Sequence, residues 1–211
     1  ITVDTSAPSA PTITAPADGT VTNDNTPTFT GTAEANSTVS VYSGVTLLGT
    51  ATANGSGAWT FTPGTGLTDG DHEITATATD DAGNVSTASG ITDITIDTSV
   101  PAAPTITSPA DGTITNDNTP TFTGTAEANS TVSIYDGVTL LGTATANGSG
   151  AWTFTPGTGL ADGDHEITAT ATDAAGNVSS ASGITDITVD TSAPSAPTIT
   201  APADGTVTND N

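Results

Sequence analysis

His72-Glu73-Ile74-Thr75-Ala76-Thr77-Ala78-Thr79 alternates apolar and polar side chains from Ile74 to its end. A period of two belongs to a strand with one dry face and one wet face, here with Ile74, Ala76 and Ala78 inward. Reading outward, the same alternation recurs at Pro11 to Ala15, Thr28 to Ala33, Thr38 to Tyr42, Val45 to Ala53, Ala58 to Thr62 and Ile91 to Asp97, giving seven strands. Phe29, Gly31 and Ala33 fall on one face of the second strand, Val39 and Val41 on one face of the third, and Trp59 with Phe61 on one face of the fifth. Ser43-Gly44 and Asn54-Gly55-Ser56-Gly57 supply the turn chemistry between them.

Seven short antiparallel strands at this spacing, punctuated by Gly, Pro and Asn-Gly, predict an all-β, immunoglobulin-like β-sandwich. The paired cysteines of antibody domains are absent, and the Trp lies on the fifth strand rather than the third. An odd strand count places the two ends of the unit at opposite poles, so successive units stack end to end.

Self-comparison shows that there are successive units. Residues 5–97 match residues 98–190 at a shift of 93, with only ten differences. The expected organisation is the end of a preceding repeat at 1–4, repeats at 5–97 and 98–190, and the linker and first strand of a third repeat at 191–211. A period of 93 is too long for a solenoid and suits an independent domain with its own core. Residues 1–25 are identical to 187–211, whereas 94–118 differs from both at five positions, which predicts a higher-order unit of two alternating repeats.

The chain of 211 residues holds 23 acids and no Lys or Arg, a formal charge of −23, so no Lys or Arg salt bridge can form within it. Nucleic-acid binding, insertion into or binding of anionic membranes, and capture of a phosphorylated small-molecule substrate are excluded by the lack of cationic groups and of a long apolar run. Leu, Ile, Val and Phe make up only 35 residues, a level that with high charge flags disorder. The 50 threonines answer that flag, because a β-branched, half-polar residue suits strands with wet outer faces. No Cys is present, so there is no disulfide frame and no thiol nucleophile. The ends fall inside repeats, and targeting signals are expected outside this stretch.

The acids gather in loops at the two poles. One pole takes Asp4, Glu34, Asn36, Asp80, Asp81 and Asn84; the other takes Asp18, Asn23, Asp24, Asn25, Asp69, Asp71 and Asp97. At the junction, Asp97 is expected to face Glu127, Asp173 and Asn177. Two carboxylates about 4 Å apart repel by roughly 4 kcal/mol at an effective dielectric of 20, and no cationic side chain offsets this. Carboxylates with amide and carbonyl oxygens form the hard ligand set that Ca2+ takes, whereas Zn2+ requires Cys or several His. The expected calcium ligands are therefore Asp4, Glu34, Asp80, Asn84, Asp97, Glu127, Asp173, Asn177 and Asp190, with Asp24, Asp69, Asp71, Asp117, Asp162 and Asp164 as a second group. Asp80 is kept as Asp173 while Asp81 becomes Ala174, so Asp81 is not a required ligand if both copies bind alike.

His72 and His165 share parity with the inward Ile74 and Ile167 and read as sandwich-edge packing residues. One His per repeat without a Ser or Cys partner is no catalytic signature, and no enzyme is expected. The sequons at Asn36, Asn54 and Asn84 are short matches in a Ser- and Thr-rich chain, and Asn54-Gly55-Ser56 reads as a turn. Asp69-Gly70-Asp71 lacks the further acids and terminal Glu of a helix-loop-helix calcium loop.

Pro11-Thr12-Ile13, Asn23-Asp24-Asn25-Thr26-Pro27, Gly31-Thr32-Ala33-Glu34, Ala76-Thr77-Ala78-Thr79-Asp80 and Gly83-Asn84-Val85-Ser86, with Val3-Asp4-Thr5 linkers, resemble the bacterial Ig-like repeats of giant secreted adhesins. The resemblance covers essentially the whole chain. It implies a secreted, extracellular role at the bacterial cell surface, as an extender between an anchor and a distal ligand-binding region in cell adhesion or biofilm formation. It also implies calcium at or near the junctions, stiffening the rod. Asn23 to Phe29 is similar to the cadherin junction motif, but it follows the first strand instead of the last, so ligand roles do not transfer. The expected molecule is a monomeric rod whose partners are neighbouring repeats, each about 35 to 45 Å long. The alternative is an adhesive module that itself binds glycan or self-associates, with Tyr42 and Tyr135 as its only aromatic candidates.

Overall fold

The computed structural model describes residues 3–200, 204, 205 and 207. The expected preceding-repeat residues 1–2 and, in the expected third repeat, 201–203, 206 and 208–211 lie outside the described residues. The described residues hold β-strands and no helix.

In the first repeat the strands are β1 (Thr12–Ala15), β2 (Thr20–Thr22), β3 (Phe29–Thr32), β4 (Thr38–Ser43), β5 (Thr46–Thr52), β6 (Ala58–Phe61), β7 (Gly70–Thr79) and β8 (Thr92–Ile96). β9 (Thr105–Ser108) to β16 (Thr185–Val189) repeat them in the second. Each repeat packs a three-stranded sheet, β1-β3-β6, on a five-stranded one, β2-β8-β7-β4-β5. This is the expected immunoglobulin-like sandwich, with one difference in its edge.

The expected first strand, Pro11 to Ala15, stands as β1 in the three-stranded sheet, and a short strand that was not expected, β2, follows it on the five-stranded sheet, so each repeat has eight strands and is not wholly antiparallel. β1 pairs antiparallel with β3, and β2 pairs parallel with β8. Pro16 has no N–H to continue the first ladder. Beyond it, Gly19 N donates to Asp93 O at 2.8 Å, and the Asp18 carboxylate accepts Asp93 N at 2.8 Å, which pins the crossing segment to β8. The alternation around Val21 is too short to stand out as a separate strand. β1 and β2 run in the same direction, so the chain still enters at one pole and leaves at the other.

The core follows the predicted parity. Phe29, Val39, Val41, Trp59, Ile74, Ala76, Ile94 and Ile96 are buried together, with Phe61 packed against them and stacked on Phe29 at 6.5 Å between centroids. Each fully buried Ile or Phe contributes about 1.5–3 kcal/mol of apolar transfer. Thr hydroxyls pair across the outer face, as in Thr12 with Thr32 at 2.7 Å and Thr28 with Thr62 at 2.8 Å. Thr thus serves the wet face. A Cβ at Gly31 would collide with the backbone carbonyl of Thr12 and come 2.8 Å from Trp59 Cζ2, so the indole fits only over glycine. Residues 191–200, which copy 5–14, carry no strand.

Candidate functional site

The poles are built by short connections between paired strands. β7 ends at Thr79, and the segment 80–84 turns back with Asp80 at its centre. The Asp80 carboxylate accepts the backbone N–H groups of Ala82 at 2.9 Å and Asn84 at 2.8 Å, and the Asn84 side-chain amide at 2.8 Å. The Asn84 side-chain bond, with support from those backbone amides, holds Asp80 below the ordinary carboxylate value. In the second repeat Gly176 takes φ of +93°, a conformation that favours glycine and closes the same turn from Asp173 to Asn177. Asp173 is pushed up by burial, but the Asn177 side-chain and backbone amides outweigh this and hold it low.

These turns receive the incoming linker. Asn84 Nδ2 donates to the backbone carbonyl of Asp4 at 3.2 Å, and Asn177 Nδ2 donates to that of Asp97 at 2.8 Å. Asn23 N of the first repeat donates to Ala175 O of the second at 3.2 Å. Asp97 is also tied to its own repeat, since its N–H donates to Thr22 O at 3.0 Å.

At the outgoing pole Asp69 grips the linker. Its Oδ1 accepts Thr98 N at 3.1 Å and Thr98 Oγ1 at 2.8 Å, and its Oδ2 accepts Ser99 Oγ at 3.2 Å. The Thr98 hydroxyl and then the Thr98 amide, with a lesser contribution from the Ser99 hydroxyl, hold Asp69 below the ordinary range against the opposing effect of burial. Asp162 repeats this with Thr191 and Ser192 and is lowered for the same reason. Asp97 and Asp190 each cap the following Ser amide at 3.0 Å.

Among the remaining predicted acids, four more carboxylates are matched to neutral donors. Asp24 and Asp117 each accept the amide and hydroxyl of the Thr two residues on. Asp71 and Asp164 accept the hydroxyls of Thr95 and Thr188 across β7–β8 and β15–β16 (β15 is Gly163–Thr172), both at 2.7 Å. Hydroxyl and amide donors stand where Lys and Arg would stand in an ordinary chain.

Asp4, Glu34, Asp80 and Asp81 line one open cleft of about 480 Å3 at the entry pole of the first repeat. They share a cleft without converging: among the described residues, no three His, Asp or Glu side chains come close enough together to hold a metal ion. Asp97, Asp173 and Asn177 are brought to one point, joined through the Asn177 amide. Glu127 contributes its backbone carbonyl to Ser130 Oγ at 2.7 Å. The sequence reading missed Thr98, Ser99 and Ala175; the signal for the first two was the recurring Asp-Thr-Ser at 4–6, 97–99 and 190–192.

His72 and His165 lie at the outgoing pole. His72 Nδ1 meets Ser43 Oγ at 2.9 Å, and His165 Nδ1 meets Asp136 Oδ2 at 2.7 Å, so the Ser-to-Asp difference between repeats replaces a hydroxyl with a carboxylate, which forms an ion pair when the imidazole is protonated. Burial pulls the His165 imidazole down, but the Ala161 carbonyl and Asp136, with Asp164 nearby, raise it above the ordinary 6.5.

The model of a family described as bacterial Ig-like domain matches residues 2–98 and 103–191. Among solved structures, the fibronectin(III)-like modules of Clostridium thermocellum CbhA match with a TM-score of 0.56 at 20% identity, over 85% of this chain and 93% of theirs. The BSP domain of a biofilm-associated protein matches with a TM-score of 0.35 at 26% identity, over 87% of this chain and 30% of that one. A tetra-tandem repeat from the extending region of a large adhesion protein matches with a TM-score of 0.35 at 25% identity, over 88% of this chain and 50% of that one. This chain thus spans half or less of the latter two. No curated protein matches.

Proposed function

Because the chain belongs to the bacterial Ig-like domain family, with two copies in tandem, we propose that it is a structural extender in a bacterial cell-surface adhesin. It holds a distal ligand-binding region away from the cell, in adhesion or biofilm formation. The observation that carries this reading is the junction, where the outgoing linker is gripped by Asp69 of one repeat and Asn177 of the next. Entry and exit at opposite poles make each added copy add reach. Nothing in the sandwich is used for catalysis in this reading, and its partners are the neighbouring repeats. No described helix is long and apolar enough to cross a membrane; the proposed location is outside the cell.

Calcium is the finer part of the proposal. The support is the cleft lined by Asp4, Glu34, Asp80 and Asp81 in a chain with no Lys or Arg. Those carboxylates do not form a ready chelate, so the proposed effect is neutralisation of like charge at the poles, with Asp4, Glu34 and Asp80 as the oxygens nearest the need. Extracellular modules bind calcium at about 0.1–1 mM, which fits repeats that gain stability after export. The adhesive alternative gains nothing from Tyr42 and Tyr135, which are half-buried on central strands β4 and β12 (Thr131–Asp136). Immobilised fragment that captures neither glycans nor further copies of itself supports the extender; specific capture contradicts it.

A further inference from the structure

We infer that the turn from Asp173 to Asn177 is a docking site for the end of the preceding repeat, with Asn177 as the positioning residue, and that it fixes the junction without a cation. This deepens the extender reading and rests on it. Three observations carry it. First, the Asn177 amide bridges two repeats, with one N–H···O to the Asp173 carboxylate and one to the Asp97 backbone carbonyl, both at 2.8 Å. Second, comparison of the two copies within one chain shows what the preceding repeat covers. Asn177 is buried at 7% exposure where Asn84 is only half-buried, and Ala175 is half-buried where Ala82 is exposed. On the other side Asp97 is half-buried where Asp190 is exposed, and Val21 is 43% exposed where Ile114 is 76%. Third, the contact is continuous, since Asn23 N reaches Ala175 O beside it.

The chemistry explains why an amide is placed there. Asp97 and Asp173 both lie at the junction, and the chain has no Lys or Arg. An Asn side chain offers two N–H donors and no charge, so it satisfies a carboxylate and a carbonyl together without adding repulsion. The surfaces that meet are different patches of the same unit. A head-to-tail contact of that kind propagates along an open array instead of closing on itself.

The test uses spin labels, and the chain has no cysteine to interfere. Val45→Cys and Val138→Cys place labels on fully exposed hairpin tips of the two repeats. Electron-electron distance distributions are recorded in EDTA and in calcium, for the labelled parent, Asn177→Ala and Asn84→Ala. The expected result is a narrow distribution in EDTA for the parent and for Asn84→Ala, and loss of that narrow peak in Asn177→Ala. Asn84→Ala removes the same turn contacts in the first repeat and leaves the junction intact, so it separates docking from turn folding. A parent that is broad in EDTA and narrow in calcium overturns the inference and leaves the extender standing. Equal broadening by both variants overturns it too. A parent broad in both conditions removes the extender reading itself.

Discussion

Asn177 donates its side-chain amide to the backbone carbonyl of Asp97, 80 residues earlier in the chain, at 2.8 Å. The pair joins the first residue after β8 to the turn after β15, and so joins one sandwich to the next. Around it every charged group of the junction is acidic, and the attraction comes from amides and hydroxyls.

Asp69 and Asp162 predict how the linkers respond to acid. Both native carboxylates lie below the ordinary 3.8, held there by Thr and Ser donors of the outgoing linker. A lowered native pKa contributes stability that is present above the unfolded value and is lost as pH falls through the native one. The contribution of these two carboxylates to melting is therefore constant at neutral pH and declines below about pH 4. Asp69→Asn, which keeps one acceptor oxygen, reduces the acid sensitivity of the first linker; an unchanged acid limb contradicts the assignment.

His165 and Asp136 set the two repeats apart. The native imidazole is raised above 6.5 by the Ala161 carbonyl and by Asp136 and Asp164, despite burial. A raised native pKa contributes stability that is full below the unfolded value and is lost as pH rises through the native one. Asp136→Ser, which restores the residue of the first repeat, is expected to lower the melting of the second repeat at about pH 6 by on the order of 1 kcal/mol or less, and to have less effect at about pH 8. NMR titration of His165 in the two proteins checks the same point directly.

Gly124→Ala tests the packing of the buried indole. The added methyl would collide with the Thr105 carbonyl and reach 2.6 Å from Trp152 Cζ2. Backbone lies on one side and a buried ring on the other, so the cost is expected at the upper end of the usual 1–3 kcal/mol for overpacking, or about 4–8 °C per kcal/mol for a unit of this size. Gly148→Ala in an open turn, where a Cβ meets nothing within 4 Å, is the control and shifts melting far less.

Calcium is expected to raise the melting temperature of the fragment over EDTA, with magnesium giving less. At tenfold saturation one site adds only about 1.4 kcal/mol, so the rise per site is modest. Glu34→Gln removes one carboxylate from the entry cleft and reduces the rise. No calcium-specific rise would leave the acids with the hydrogen-bonding roles described above and no metal role.

The sandwich was legible because Phe29, Val39, Val41, Trp59 and Ile74 hold strict parity with buried positions in strands long enough to show it. β2 was not legible, because Thr20–Thr22 has three residues and owes its place to Gly19 and Asp18 bonding Asp93, a contact more than 70 residues away in sequence. The pole residues were placed at the right ends by strand order alone. Their hydrogen-bond partners were not legible, since a count of carboxylates does not reveal the neutral donors that Asp69 and Asp173 accept. Thr98 and Ser99 carry the donors to Asp69, and a sequence with fifty threonines hides them, whereas Asn177 was already expected to face Asp97.

Repeats joined as a rod are tested most directly by small-angle scattering from chains of two, four and six repeats. If the junctions hold, the maximum dimension grows in proportion to repeat number, adding roughly 35 to 45 Å per copy. Growth with about the square root of repeat number, as for freely jointed units, would contradict the extender.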